Sequence, residues 1–129
     1  MITVYTDGAT SGNPGKSGAG IFIKENGNVY EYSIPLDGLL TNHEAEFHAV
    51  IKALEICKND FPGEILAFQS DSQTVVQTIL KNYTKNKQFM PLLEQIKELS
   101  SHFPYFFIKW IPEKNNKHAD KLAKQAIHM

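Results

Sequence analysis

The first third of the chain is β-rich and broken by turn signals. Residues 2–6 (ITVYT), 18–24 (GAGIFIK) and 28–34 (NVYEYSI) carry the β-branched and aromatic enrichment of strands. Residues 9–17 read as a small-residue loop with turn signals at Gly12-Asn13-Pro14-Gly15, and Glu25-Asn26-Gly27 reads as a hairpin. Beyond residue 40 the period changes. Phe47, Val50, Ile51 and Leu54 recur at i, i+3, i+4, i+7 and predict a helix over 43–58, with Thr41 or Asn42 as its N-cap and Glu44 in its first turn. A short apolar strand follows at 64–70 and runs into Asp71. Further helices are predicted at 72–82, 90–100 and 115–127, and a fifth strand at 105–111. The order is βββαβααβα. Tight joins among the first three strands imply antiparallel pairing, and the helical crossovers imply parallel pairing. The predicted fold class is α/β, a five-stranded mixed sheet flanked by helices, with residues 1–129 as one domain.

Composition narrows the functional classes. At 129 residues and 42% hydrophobic content the chain suits one globular domain, without collagen-like or disordered composition. No apolar run reaches the length of a membrane helix, and an acid as early as Asp7 argues against a secretory signal, so a cytoplasmic protein is expected. One cysteine, Cys57, excludes an internal disulfide and a cysteine-based zinc site; it reads as core. The aromatic run Phe103, Tyr105, Phe106, Phe107 also reads as strand and core.

The net charge of −1 hides an asymmetry. Residues 1–80 hold four Lys against ten acids, and residues 81–129 hold nine Lys against four acids. Every cation is lysine, which meets phosphate as a point charge rather than reading bases bidentately. A nucleic-acid partner would thus be read by backbone and shape, although lysines of this number also suit a plain solvated face.

Candidate chemistry lies at element ends. Asp7 and Asp71 follow the first and fourth strands, Glu46 lies one turn into the first helix, and Asp120 borders the apolar stripe of the last. Carboxylates converging from neighbouring strands repel unless neutralised, and Asp and Glu oxygens suit Mg²⁺. The same acids also fit turn chemistry and chance placement at strand ends.

Four segments bear on that choice through a resemblance: Thr6-Asp7-Gly8-Ala9 with Asn13-Pro14-Gly15, Thr41-Asn42-His43-Glu44-Ala45-Glu46, Ser70-Asp71-Ser72-Gln73, and Asn116-Lys117-His118-Ala119-Asp120-Lys121-Leu122-Ala123. In this order, and over essentially residues 1–127, the chain resembles a type 1 ribonuclease H domain. Trp110-Ile111-Pro112-Glu113 resembles the shorter, archaeal- and plant-like branch. The resemblance implies sequence-independent cleavage of the RNA strand of RNA–DNA hybrids, using two divalent ions (Mg²⁺, with Mn²⁺ as substitute). It implies Asp7, Glu46, Asp71 and Asp120 as catalytic metal ligands. It implies Asn13, Asn42 and Gln73 as nucleic-acid contacts, where neutral amides suit 2′-hydroxyls, although each also suits a turn or cap; Thr41 could hold a DNA phosphate or simply cap its helix, and His43 and Asn116 are further substrate-binding candidates. A monomer with no obligate protein partner and no membrane association is expected.

The chain departs from the family pattern in three places. The loop before the last helix lacks the family's Gly-His pair, and Glu113 is the one acid there that could take its role beside a metal or its water. His43 stands where Asn is usual. The basic, Trp-bearing handle of larger bacterial members is replaced by residues 81–87, which supply three lysines. The missing loop histidine and handle favour a second reading, a weakly active or inactive binding module for hybrids or double-stranded RNA. The four acids oppose it.

Overall fold

A computed structural model describes residues 1–129. Its elements are β1 (Ile2–Thr10), β2 (Gly15–Glu25), β3 (Asn28–Leu40), α1 (Asn42–Asp60), β4 (Leu66–Ser70), α2 (Gln73–Lys81), α3 (Met90–Ser100), β5 (Phe106–Trp110), a 3-10 turn (Glu113–Asn115) and α4 (Lys117–Ile127). The strands form one mixed sheet in the order β3-β2-β1-β4-β5. The first three pair antiparallel, whereas β1 with β4 and β4 with β5 pair parallel. The predicted order and mixed pairing hold.

Alternation along the strands sorts the two faces of the sheet. Ile2 and Val4 of β1, Ile21 and Ile23 of β2, Leu66 and Phe68 of β4 and Ile108 of β5 are buried against Phe47, Val50 and Leu54 of α1, Val75 of α2 and Ile96 of α3. Cys57 lies in the same core. On the other face α4 crosses β1, β2 and β3 through Ala119, Ala123 and Ala126. That approach is close because β2 carries glycine there. A Cβ on Gly20 would fall 2.0 Å from the Ala119 carbonyl oxygen and 2.4 Å from the Ala123 nitrogen.

Three expectations need correction. The β1–β2 ladder does not stop at residue 6 but continues through Asp7↔Gly20 to Thr10↔Ser17. Asp7 therefore sits inside a strand, and the expected loop shrinks to a turn between Thr10 and Gly15. Ala9, Thr10 and Ser17, read as loop, are ladder partners. The last helix starts at Lys117 rather than 115, because Glu113–Asn115 closes as a 3-10 turn, with Asn116 N–H donating to the Glu113 carbonyl at 3.0 Å. Finally, only Phe103 of the aromatic run is fully core. Tyr105 and Phe107 are 60% and 56% exposed and stack on each other, since α4 does not extend over β5.

Candidate active site

Asp7 leaves the middle of β1 and Asp71 follows the end of β4, its parallel neighbour. Glu46 arrives from the first turns of α1. Gly8 makes that approach possible, because a Cβ there would lie 2.4 Å from the Ala45 carbonyl and 2.5 Å from the Glu46 nitrogen. Strand and helix thus meet main chain to main chain. Asp7, Glu46 and Asp71 each bring a carboxylate oxygen to within 4.8 Å of the others. Asp120 stands outside this trio. It hydrogen-bonds the Asp7 side chain and also lies 3.0 Å from the Lys124 ammonium.

The electrostatics follow from burial. Asp7 is 7% exposed, and its carboxyl is pushed up to about 9, first by desolvation and then by Asp71, Asp120 and Glu46. Glu46 is raised by burial, against which the Ser72 hydroxyl hydrogen-bonds and stabilises its charged form. Asp71 is also raised by burial; the Asn116 amide opposes the shift and Glu113 and Asp120 add to it. Carboxyls held uncharged or in mutual repulsion at neutral pH are what a dication relieves. Three oxygen donors at this spacing, with a fourth carboxylate alongside, fit a hard divalent cation.

The neighbouring surface is a cleft of about 410 Å³ lined by His43, Glu46, Asp71, Ser72, Gln73, Thr74, Trp110 and Glu113. Its floor is tied down. The Trp110 indole donates to the Asp71 carbonyl at 3.1 Å, and Ile111 N–H donates to the Ser70 carbonyl at 2.9 Å. Ser72 N-caps α2 by accepting from Val75 N–H. His43 Nδ1 lies 3.7 Å from Glu46 Oε2, so the residue that departs from the family pattern does face the cleft. Glu113 also lines a second, wholly polar cleft of about 490 Å³ with Lys114, Lys117 and Asp120.

Other expected residues sit differently. Thr41 is the N-cap of α1 in a full capping box. Its hydroxyl accepts from Glu44 N–H, and its own N–H donates to Glu44 Oε1 at 2.9 Å. Asn13 and Asn42 are exposed and joined, with Asn42 N–H donating to Asn13 Oδ1 at 3.0 Å and the Thr10 hydroxyl donating to Asn42 Oδ1. Asn116, expected at the substrate, lies inside the fold. It is 1% exposed and donates Nδ2 to the Thr6 carbonyl at 2.9 Å, bracing the last helix under β1 beside Asp71. His118 points away, stacked on Phe22 and paired with Glu31.

Three contributors were missed in the sequence: Ser72, Trp110 and Lys124. A serine directly before a helical stripe signals Ser72 as a cap, and the i, i+4 spacing of Asp120 and Lys124 signals that pair. Nothing local signals the Trp110 indole contact, which depends on β4–β5 register.

A family model described as reverse transcriptase-like matches residues 5–126. EbsB of Enterococcus faecalis, a hydrolase by name, is 44% identical over 128 residues, covering 98% of this chain and 94% of its own. The ribonuclease H of Chlorobium luteolum is 34% identical over 142 residues, covering 98% and 94%. Among solved structures, LC11-RNase H1, isolated from compost and crystallised with an RNA/DNA hybrid, superposes with a TM-score of 0.91 at 30% identity, covering 99% of this chain and 97% of that one.

Proposed function

The chain belongs to the type 1 ribonuclease H family, and from that premise we propose that it is an endoribonuclease hydrolysing the RNA strand of RNA–DNA hybrids without sequence preference. One observation carries the reading: three carboxylate oxygens from β1, α1 and the end of β4 lie within 4.8 Å of one another beside an open polar cleft. Asp7, Glu46, Asp71 and Asp120 are assigned to two divalent ions, Mg²⁺ with Mn²⁺ as substitute. When bound, these ions supply Lewis-acid activation of water and stabilisation of the departing 3′ oxygen.

The protein's own groups do the rest. Asp7, shared between the trio and Asp120, holds the two halves of the site together. Ser72 orients Glu46, and Asn116 and the Trp110 indole fix Asp71. Gln73 and His43, on the cleft wall, are assigned to the RNA strand, where amide and ring nitrogens suit 2′-hydroxyls. Asn13 and Asn42 are assigned to hybrid contact as a joined pair. Thr41 is assigned to a backbone phosphate at the start of α1, although its hydroxyl already serves the cap. Glu113, common to both clefts and adjacent to Asp71, is assigned to holding a water beside the site in place of the absent loop histidine.

Residues 1–129 acting as one monomeric domain in the cytoplasm complete the reading. One sheet uses strands from the whole chain, and a free, buried Cys57 suits a reducing compartment.

The test is nicking of an end-labelled hybrid with an RNA-only duplex as control. Mg²⁺-dependent internal cleavage of the RNA strand, abolished by Asp71→Asn, is expected. Tight hybrid binding without cleavage in saturating Mg²⁺ or Mn²⁺ would replace the enzyme by a binding module. For Glu113, turnover of Glu113→Gln across a Mg²⁺ series is expected to fall, and an unchanged series removes that assignment.

A further inference from the structure

The site is uneven, and a lysine stands on one side of it. Asp7, Glu46 and Asp71 form the close trio, whereas Asp120 reaches Asp7 from outside it and has the Lys124 ammonium 3.0 Å from its Oδ2. No lysine approaches the trio at ion-pair distance; its nearest basic partner is His43, 3.7 Å from Glu46. On α4 the lysines are Lys117, Lys121 and Lys124, and among them only Lys124 is paired with an acid. The spacing i, i+4 sets Lys124 one turn beyond Asp120, on the same helix face.

Resting on the reading above, we propose that Lys124 is a placeholder for the second cation: its ammonium neutralises Asp120 in the hybrid-free protein and must leave before a dication can use that carboxylate. Two features make the placeholder removable. The Lys124 side chain is 67% exposed, so it swings into water without opening the core. Its bond to Asp120 is a partly exposed ion pair, worth little against a dication. Lys124 is thus a positioning residue that acts through Asp120. Ion loading becomes ordered, with the trio filling first and the Asp120 side filling in competition with the ammonium. A divalent ion and an ammonium a few ångströms apart also repel, which adds to the competition.

Mn²⁺ titration of the full chain without hybrid, by calorimetry, separates the two halves. Wild type is expected to show one tighter and one weaker ion. Lys124→Gln should tighten the weaker ion by about 3- to 10-fold and leave the tighter one unchanged. Lys124→Arg, which keeps the charge, should follow wild type, and Lys117→Gln should leave both ions nearly unaltered. The proposal is overturned if Lys124→Gln leaves the weaker ion as in wild type, or if Lys117→Gln tightens it equally. In either case the proposed function survives, because wild type still binds ions. Wild type binding no Mn²⁺ at all would overturn both.

Discussion

Replacing Asp7 by Asn should stabilise the ion-free protein while removing its response to metal. Asp7 is buried among three other acids, and its carboxyl is raised from 3.8 to about 9, chiefly by desolvation. Between those values the native state keeps a proton that the unfolded chain has lost. The native state therefore binds more protons, and ion-free stability falls as pH rises through this window. The loss from Asp7 is at most about 1.4 kcal/mol per pH unit, and Glu46 and Asp71, raised first by their own burial, add to it. From about pH 5 to about pH 7 this amounts to up to ~3 kcal/mol, or on the order of 10 °C in Tm for a chain of this size. Asn keeps the shape and cannot ionise. Thermal melts followed by circular dichroism in EDTA should show wild-type Tm falling with pH and Asp7→Asn falling less steeply, several degrees higher at neutral pH. Millimolar Mg²⁺ should lift wild type most at the higher pH and the variant hardly at all. A flat wild-type profile in EDTA, or a variant less stable than wild type at neutral pH, would refute the crowding of these carboxylates.

Other perturbations probe the supports of the site. Gly20→Ala places a Cβ 2.0 Å from the Ala119 carbonyl oxygen, so α4 must shift; a loss on the order of 3 kcal/mol in urea unfolding is expected, with weaker Mn²⁺ binding because Asp120 rides on that helix. Thr41→Ala breaks the capping box and should cost about 0.5–2 kcal/mol, read as a lowered urea midpoint, while Thr41→Ser should recover most of it. Hybrid affinity measured in Ca²⁺ should depend only shallowly on salt, since residues 81–87 offer just three lysines where larger relatives carry a handle; a log–log slope equivalent to about eight or more phosphate contacts contradicts this.

Much of this architecture was legible in the sequence because burial here obeys simple periods. Phe47, Val50, Ile51 and Leu54 specify α1, and the alternating Ile2 and Val4 specify the buried face of β1. Asp7, Glu46 and Asp71 were recognisable because each adjoins such an element. What escaped was tertiary. Ala9, Thr10 and Ser17 look like loop, yet they continue the β1–β2 ladder, which only the strand register shows. Asn116 looks like a surface amide, and only the packing of α4 under β1 shows that its amide is spent on the Thr6 carbonyl. Tyr105 and Phe107 look like core, and their exposure reflects where α4 stops. Lys124 gave its signal through spacing alone, and its meaning depended on Asp120 standing outside the trio.

The contact at Gly8 sets the gauge of the metal pocket. Because a Cβ at Gly8 would strike the Ala45 carbonyl and the Glu46 nitrogen, the backbone positions from which Asp7 and Glu46 project are held close together. The backbone half of the ligand frame is thus built before any ion arrives, and what a cation has still to order is the carboxylate side chains. A side chain at position 8 would push α1 off β1 and carry Glu46 away from Asp7.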